Sequence, residues 1–115
     1  MSVDTSPDSI GRFARRYRKA SLCWFHVLDP ATAGEVQEGI GAGFDISRSG
    51  MGLNVSKAMP LGARVLVHVR CREFEFTAVM QVARVRLANP SQYEVGLHFL
   101  VVPPDYRSLM QRVFP

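Results

Sequence analysis

Two groups of residues in this sequence have the types and spacing needed to bind an anion. The first lies in the segment GRFARRYRKA, where five of the fourteen basic residues fall within eight positions. It contains a pair of arginines with four-residue spacing, Arg12 and Arg16. The second is the run DISRSG, in which Asp45, Ser47 and Gly50 place a carboxylate, a hydroxyl and a glycine close together. Guanidinium groups bind phosphate oxygens through paired N–H donors, so the predicted chemistry is anion recognition.

Each group also has an ordinary interpretation when it is taken alone. A basic run is commonly a solvated arm or a diffuse patch for phosphate backbones. Twelve arginines in 115 positions yield about one pair with four-residue spacing by chance. The second group reads equally well as a polar turn between strands that ends in glycine for a positive φ, and such a match arises in roughly one chain in twenty-five.

The elements that must position these groups are mostly strands. Alternating apolar residues predict six strands, at 21–28, 35–47, 51–56, 65–71, 74–87 and 93–99, with a bulge near Ala83. The first strand is apolar on both phases, which predicts that both of its faces are covered. Alternate glycines at 39, 41 and 43 predict either bends in the strand or close approach of another backbone. Apolar residues at 106, 109, 110, 113 and 114 follow the spacing of one helix face, so we expect an antiparallel barrel with a C-terminal helix.

Composition limits the organisation of the chain to one domain. It has 115 residues, of which 47% are hydrophobic and 21% charged, as in an ordinary globular protein. Its formal charge of +4 favours an anionic partner. Residues 1–11 are rich in Ser, Asp, Pro and Gly and predict a flexible tail, so the domain is expected to occupy 12–115.

Several function classes lack their usual residues. The sequence contains no nucleophile elbow, Walker loop or zinc-protease motif, and its glycines miss the dinucleotide fingerprint, so we expect no enzyme. Cys23 with His26, and His68 with Cys71, have zinc-like spacing, but residues three apart in a strand point to opposite faces. We therefore expect no metal and two free thiols. Without an apolar span or an export signal, the expected location is the cytoplasm.

Together and in this order, the two groups resemble the signature of the PilZ family of bacterial cyclic di-GMP receptors. That signature is Arg-x-x-x-Arg just before the first barrel strand, followed by [Asp/Asn]-x-Ser-x-x-Gly at the end of the second. Here the arginine pair ends at Arg16, a few residues before SLCWFHV, and the second motif runs from Asp45 to Gly50. The resemblance implies a six-stranded split barrel with a closing helix and a flexible basic N-terminal arm.

The resemblance also implies roles for individual residues. Arg12 and Arg16 would bind the Hoogsteen edge of a guanine and the phosphates, since an arginine fork matches the N7 and O6 acceptors. Asp45 would accept hydrogen bonds from guanine, Ser47 would bond a base edge or a phosphate, and Gly50 would permit close approach. Further ligand contacts could come from residues outside the motif pattern, namely Arg15, Tyr17, Arg18 and Arg48.

The expected function is therefore that of a receptor or adaptor without a cofactor, which changes the conformation of its arm on binding cyclic di-GMP. It would signal to an unidentified protein, in processes such as motility or biofilm control, as a monomer or a homodimer. One alternative is a small basic barrel that binds RNA or single-stranded DNA. Trp24, Phe25, Phe74, Phe76 and Tyr93 could supply stacking rings, but all of them fit a core phase, which disfavours nucleic acid. A second alternative is a PilZ-like adaptor that binds no nucleotide.

Overall fold

The computed structural model describes residues 21–106, Ser108 and Gln111. Its six strands are β1 Ser21–Val27, β2 Glu38–Ile46, β3 Gly50–Val55, β4 Arg64–Arg70, β5 Glu75–Asn89 and β6 Gln92–Val101. Every neighbouring pair is antiparallel, in the order β1-β2-β3-β6-β5-β4. The six-stranded antiparallel barrel is confirmed. The resemblance implied a split barrel. The structure has a closed ring of strands instead, because β1 pairs with both β2 and β4.

The core of the barrel follows from the two-residue period of its strands. On β4, Val65, Val67 and Val69 point inward and are fully buried, whereas Arg64 and Arg70 point to solvent. Burial of each such side chain stabilises the fold by about 1.5–3 kcal/mol. The expected bulge near Ala83 is present, because the β5–β6 register shifts between Val82 and Arg84.

The outer face of β1 corrects one expectation. The strand was predicted to be covered on both faces, but only alternate residues are buried, and Leu22, Trp24 and Leu28 are exposed. A barrel formed by a single closed sheet has one interior, and among the described residues no second layer covers the outward side chains of β1. The phase of Trp24 had suggested a core position, but its side chain lies outside the core.

One of the alternate glycines of β2 allows another strand to approach closely. A Cβ on Gly41 would lie 2.6 Å from the carbonyl oxygen of Asn54, so the predicted close approach of another backbone is found at this position. The expected C-terminal helix falls mostly outside the described residues, although Tyr106, Ser108 and Gln111 have helical backbone. In the described part of the chain, no helix has the length and apolar content that a membrane crossing requires.

Candidate anion-binding site

The second sequence group forms the corner between β2 and β3. The backbone N–H of Ser47 donates to the carbonyl oxygen of Gly50 at 2.9 Å and closes a tight turn. Arg48 and Ser49 form the exposed tip of this turn, while Ser47 is only 3% exposed. The Ser47 hydroxyl lies 3.3 Å from that of Ser49. The three motif residues are thus held in one compact corner, which we call the DISRSG corner (residues 45–50).

A β-bulge turns Asp45 toward the outside of the barrel. The β2–β3 register passes from Gly43 opposite Leu53 to Asp45 opposite Gly52, so Phe44 and Asp45 together oppose Gly52. In an unbroken strand Asp45 would share the inward face with Gly43. The extra residue keeps Ile46 in the core and leaves Asp45 half-buried on the outer face. The Asp45 carboxylate therefore lies on the outer face of the barrel, with its Oδ1 atom buried.

Position 50 needs glycine because a larger side chain would not fit there, and not because the backbone has a positive φ. A Cβ at this position would lie 2.0 Å from the carbonyl oxygen of Leu97 and 2.7 Å from the Cα of His98. Its φ is not positive, which corrects the turn interpretation, since positive φ among the described glycines is confined to Gly34 and Gly62. This glycine therefore lets β3 and β6 approach each other directly beneath the corner.

Two hydrogen bonds attach the DISRSG corner to Tyr106 and to Phe99 of β6. The hydroxyl of Tyr106 donates to the backbone carbonyl of Ser47 at 2.5 Å, and the N–H of Phe99 donates to Ser49 O at 2.9 Å. The Tyr106 ring packs edge-on against Phe99 and Phe76, with centroids 4.7 and 5.2 Å away. Burial raises the pKa of Tyr106, so its hydroxyl stays protonated and remains a donor. Sequence periodicity identified Tyr106 only as an apolar helix position and gave no sign of this bond.

A row of outward positions extends from the corner across three further strands. Asp45 pairs with Gly52, Gly52 with Gly96, and Gly96 with Arg84. The ring of Phe44 occupies the place of a side chain on Gly52, and the stem of Arg84 does the same on Gly96. This row, which we call the floor, has the Asp45 carboxylate at one end, and the Arg84 guanidinium lies over Gly96, with its Cζ 3.3 Å from the position of a Cβ on that glycine. Arg84 was missed by sequence reasoning because only strand register brings it beside the corner.

The first sequence group lies outside the described residues. Arg12, Arg15, Arg16, Tyr17 and Arg18 all fall there, so their predicted roles stay predictions. The described chain begins at Ser21, which pairs with Gly43, only two positions before Asp45. Arg16 precedes Ser21 by five residues, and an extended chain of that length spans at most about 17 Å.

The two cysteine–histidine pairs with zinc-like spacing do not form a metal site in the described structure. Cys23 is buried in the core, whereas His26, three positions later, is exposed. Among the described residues no group of three or more metal-ligating side chains lies together. His68 instead bonds Thr77 through Nδ1 at 2.6 Å and Glu75 through Nε2, and this contact lowers the pKa of Glu75.

The stacking rings weighed for nucleic acid do not form an exposed row. Phe25, Phe74 and Phe76 are buried, and Tyr93 is half-buried. Among those five aromatic residues, Trp24 alone is exposed, on the outer face of β1. One exposed ring does not provide the series of stacking platforms that a single-stranded nucleic acid uses.

Comparison with solved structures gives the same barrel. The chain is similar to YcgR of Escherichia coli in complex with c-di-GMP, with a TM-score of 0.66 and 18% identity over 87% of this chain and 42% of that one. The isolated PilZ domain of YcgR with c-di-GMP scores 0.62 at 18% identity, covering 87% and 86%. The inhibitor of motility MotI/DgrA of Bacillus subtilis scores 0.64 at 13% identity, covering 86% and 47%. The chain therefore spans less than half of two of these proteins.

A search of curated proteins found no match. The model of one family, described as the PilZ domain, matches residues 15–114. That match includes Arg16 and the whole DISRSG corner, and it leaves Arg12 just outside. Because the match covers most of the sequence and the fold agrees with it, this chain belongs to the PilZ domain family.

Proposed function

We propose that this chain is a cytoplasmic receptor for cyclic di-GMP, which acts by binding and not by catalysis. The observation that carries the proposal is the pairing of Ser21 with Gly43. It makes the chain enter the barrel beside the end of β2 that bears Asp45, so we expect the preceding arginines to reach the corner. YcgR, which has the same fold, is itself found with c-di-GMP.

The described half of the site suits a guanine nucleotide. The Asp45 carboxylate can accept hydrogen bonds from the N1–H and N2 amine of guanine. Ser47 is nearly buried and engaged with Ser49, so we assign it first to the shape of the corner and second to ligand contact. The Arg84 guanidinium, which lies over Gly96 on the same row, adds a positive charge for a phosphate of the same ligand.

The arginines before Ser21 would complete the site. Five cations within residues 12–19 repel one another, and a ligand with two phosphates would neutralise them against the barrel. Arg12 and Arg16 would supply bidentate contacts to guanine N7 and O6 or to phosphate oxygens, with Arg15, Tyr17, Arg18 and Arg48 as additional candidates. Ordering of this arm would present a new surface to a partner protein.

Titration calorimetry of the full chain with cyclic di-GMP, cyclic di-AMP and GTP tests the proposal. We expect cyclic di-GMP to bind most tightly, and Arg16→Ala to weaken it about ten- to a hundred-fold because one charge-assisted bidentate contact is lost. Arg64→Ala is the matched control, since Arg64 begins β4 beside the end of β1 that is farthest from Ser21, and it pairs with Asp29. Equal losses in both variants, or no binding of cyclic di-GMP at all, would refute the assignment.

Amide hydrogen exchange tests the proposed change in the arm. Saturating cyclic di-GMP should slow exchange at residues 11–19 while leaving the β4 amides unchanged. Tight binding with no new protection in that segment would retain the receptor and reject the conformational switch.

A further inference from the structure

The outer face of β2, β1 and β4 carries large apolar side chains. Ile40 is 60% exposed and Trp24 36%, and Leu22 and Leu66 are exposed beside them. Between these side chains runs an open groove of about 430 Å³, which is lined by Trp24, Ile40, Leu66 and the polar groups of His26, Glu38, His68 and Thr77. Exposed apolar surface with a polar rim is typical of a protein interface.

Strand register fixes the arrangement of this face as a grid. Leu22 lies between Ala42 and Arg70, Trp24 between Ile40 and His68, and His26 between Glu38 and Leu66. The three rows run across β2, β1 and β4 in that order. We call these nine positions the β1 face.

Charges of opposite sign occupy opposite corners of the β1 face. Glu38 stands at one corner with a side chain that is 74% exposed, 3.8 Å from His26. Arg70 stands at the diagonal corner with a side chain that is 60% exposed. Its guanidinium lies 5.6 Å from the centroid of the Trp24 ring, and the Glu75 carboxylate lies 3.7 Å from its Nε. Both charged groups can therefore reach a surface that covers the face.

From this pattern we propose that two copies of the chain associate through their β1 faces as a twofold-symmetric dimer. The twofold axis lies in the β1 face, passes through Trp24 at about 45° to the strands and follows the diagonal from Ala42 to Leu66. Rotation about this axis exchanges Glu38 with Arg70. It also exchanges Leu22 with Ile40 and His26 with His68. Residues on one face are about 6.8 Å apart along a strand and neighbouring strands about 4.8 Å apart, so each position falls within about 3 Å of its counterpart. The face is thus complementary to itself.

The axis places Trp24 against Trp24 at the centre of the interface. Tryptophan and arginine are the residues that most often dominate binding energy, above all at central, well-packed positions. Around this centre Leu22 meets Ile40, and each Glu38 meets the Arg70 of the other copy. The face is small compared with the roughly 800 Å² per partner of a standard interface, so the dimer should dissociate on dilution in the micromolar range.

Sedimentation velocity of the full chain without nucleotide, from about 5 to about 500 µM, tests the association directly. Trp24 is the single tryptophan of the chain, so its emission should shift to shorter wavelength as the dimer forms. Trp24→Ala should raise the dissociation constant about 30-fold or more. Leu66→Ser should also weaken the dimer. Leu61→Ser is its control and should not, because Leu61 is an exposed leucine outside the β1 face.

Charge exchange tests the symmetry of the dimer. Arg70→Glu alone, and Glu38→Arg alone, each place like charges at both corner contacts and should abolish the homodimer. A mixture of the two variants restores opposite charges at both contacts and should yield a heterodimer. The double variant also has opposite charges at both contacts and should form a homodimer. Circular dichroism spectra like that of the unmodified chain would show that the variants fold.

Two results would overturn the proposal. One is a chain that stays monomeric to about 500 µM with unchanged tryptophan emission, which would leave the β1 face to residues 1–20 or to a different protein. The other is a dimer that Trp24→Ala and the charge exchanges leave intact. Neither result depends on cyclic di-GMP, so the receptor proposal is judged separately.

Discussion

Replacing Tyr106 by phenylalanine deletes one atom from the support of the DISRSG corner. The lost hydroxyl donates at 2.5 Å to the backbone carbonyl of Ser47, in a region where both residues are buried. The ring remains, so the contacts with Phe76 and Phe99 are kept and no cavity larger than an oxygen atom forms. A buried acceptor that loses its donor costs about 1–3 kcal/mol. We expect Tyr106→Phe to lower the free energy of unfolding by that amount.

Urea unfolding followed by circular dichroism measures the loss, and Tyr93→Phe is its control. Tyr93 lies on β6, and the control makes the same chemical change without touching Ser47. The control should shift the free energy of unfolding by less than about 0.5 kcal/mol. The affinity for cyclic di-GMP should also fall in Tyr106→Phe, because the corner is less firmly held. A loss no larger than that of the control, with unchanged affinity, would refute the assigned role of Tyr106.

Two further predictions concern the core beside the corner. Gly50→Ala would place a methyl group 2.0 Å from the carbonyl oxygen of Leu97, so the thermal midpoint should fall by the equivalent of about 1–3 kcal/mol, and an unchanged midpoint would contradict the packing. The Cys23 thiol is fully buried and burial raises its pKa, so iodoacetamide should label the partly exposed Cys71 in the native protein and Cys23 only on unfolding. Peptide mapping by mass spectrometry distinguishes the two cysteines, and equal labelling rates would contradict this prediction.

The strands were predictable because the sequence alternates where only one face of a strand is buried. Val65, Val67 and Val69 are apolar, and three of the four alternate positions of β4 are polar (Arg64, His68 and Arg70), so β4 could be placed from its period alone. The bulge near Ala83 was visible for the same reason, since the apolar phase changes at that point. The position of the DISRSG corner at the end of β2 followed from the motif.

The faces of β1 could not be predicted because its sequence is apolar on both phases. Local hydrophobicity cannot say whether a second layer covers Leu22 and Trp24, and closure of the ring is decided by pairing with the distant β4. The same limit applies to Arg84 and Tyr106. Arg84 reaches the floor only through the register of two intervening strands, and Tyr106 meets Ser47 across 59 positions of sequence.

We expect the two halves of the proposed site to respond differently to mutation, because the described barrel holds the DISRSG corner in place. The DISRSG corner is built into the fold by the bulge at Phe44, the close packing at Gly50 and the bond from Tyr106. Changes at Gly50 and Tyr106 should therefore lower stability and affinity together. The arginines before Ser21 precede the first barrel strand, so Arg16→Ala should lower affinity with little effect on unfolding. In the proposed switch, a pre-formed corner would concentrate the entropic cost of ligand binding in the arm, and the order of the arm would then report occupancy of the site.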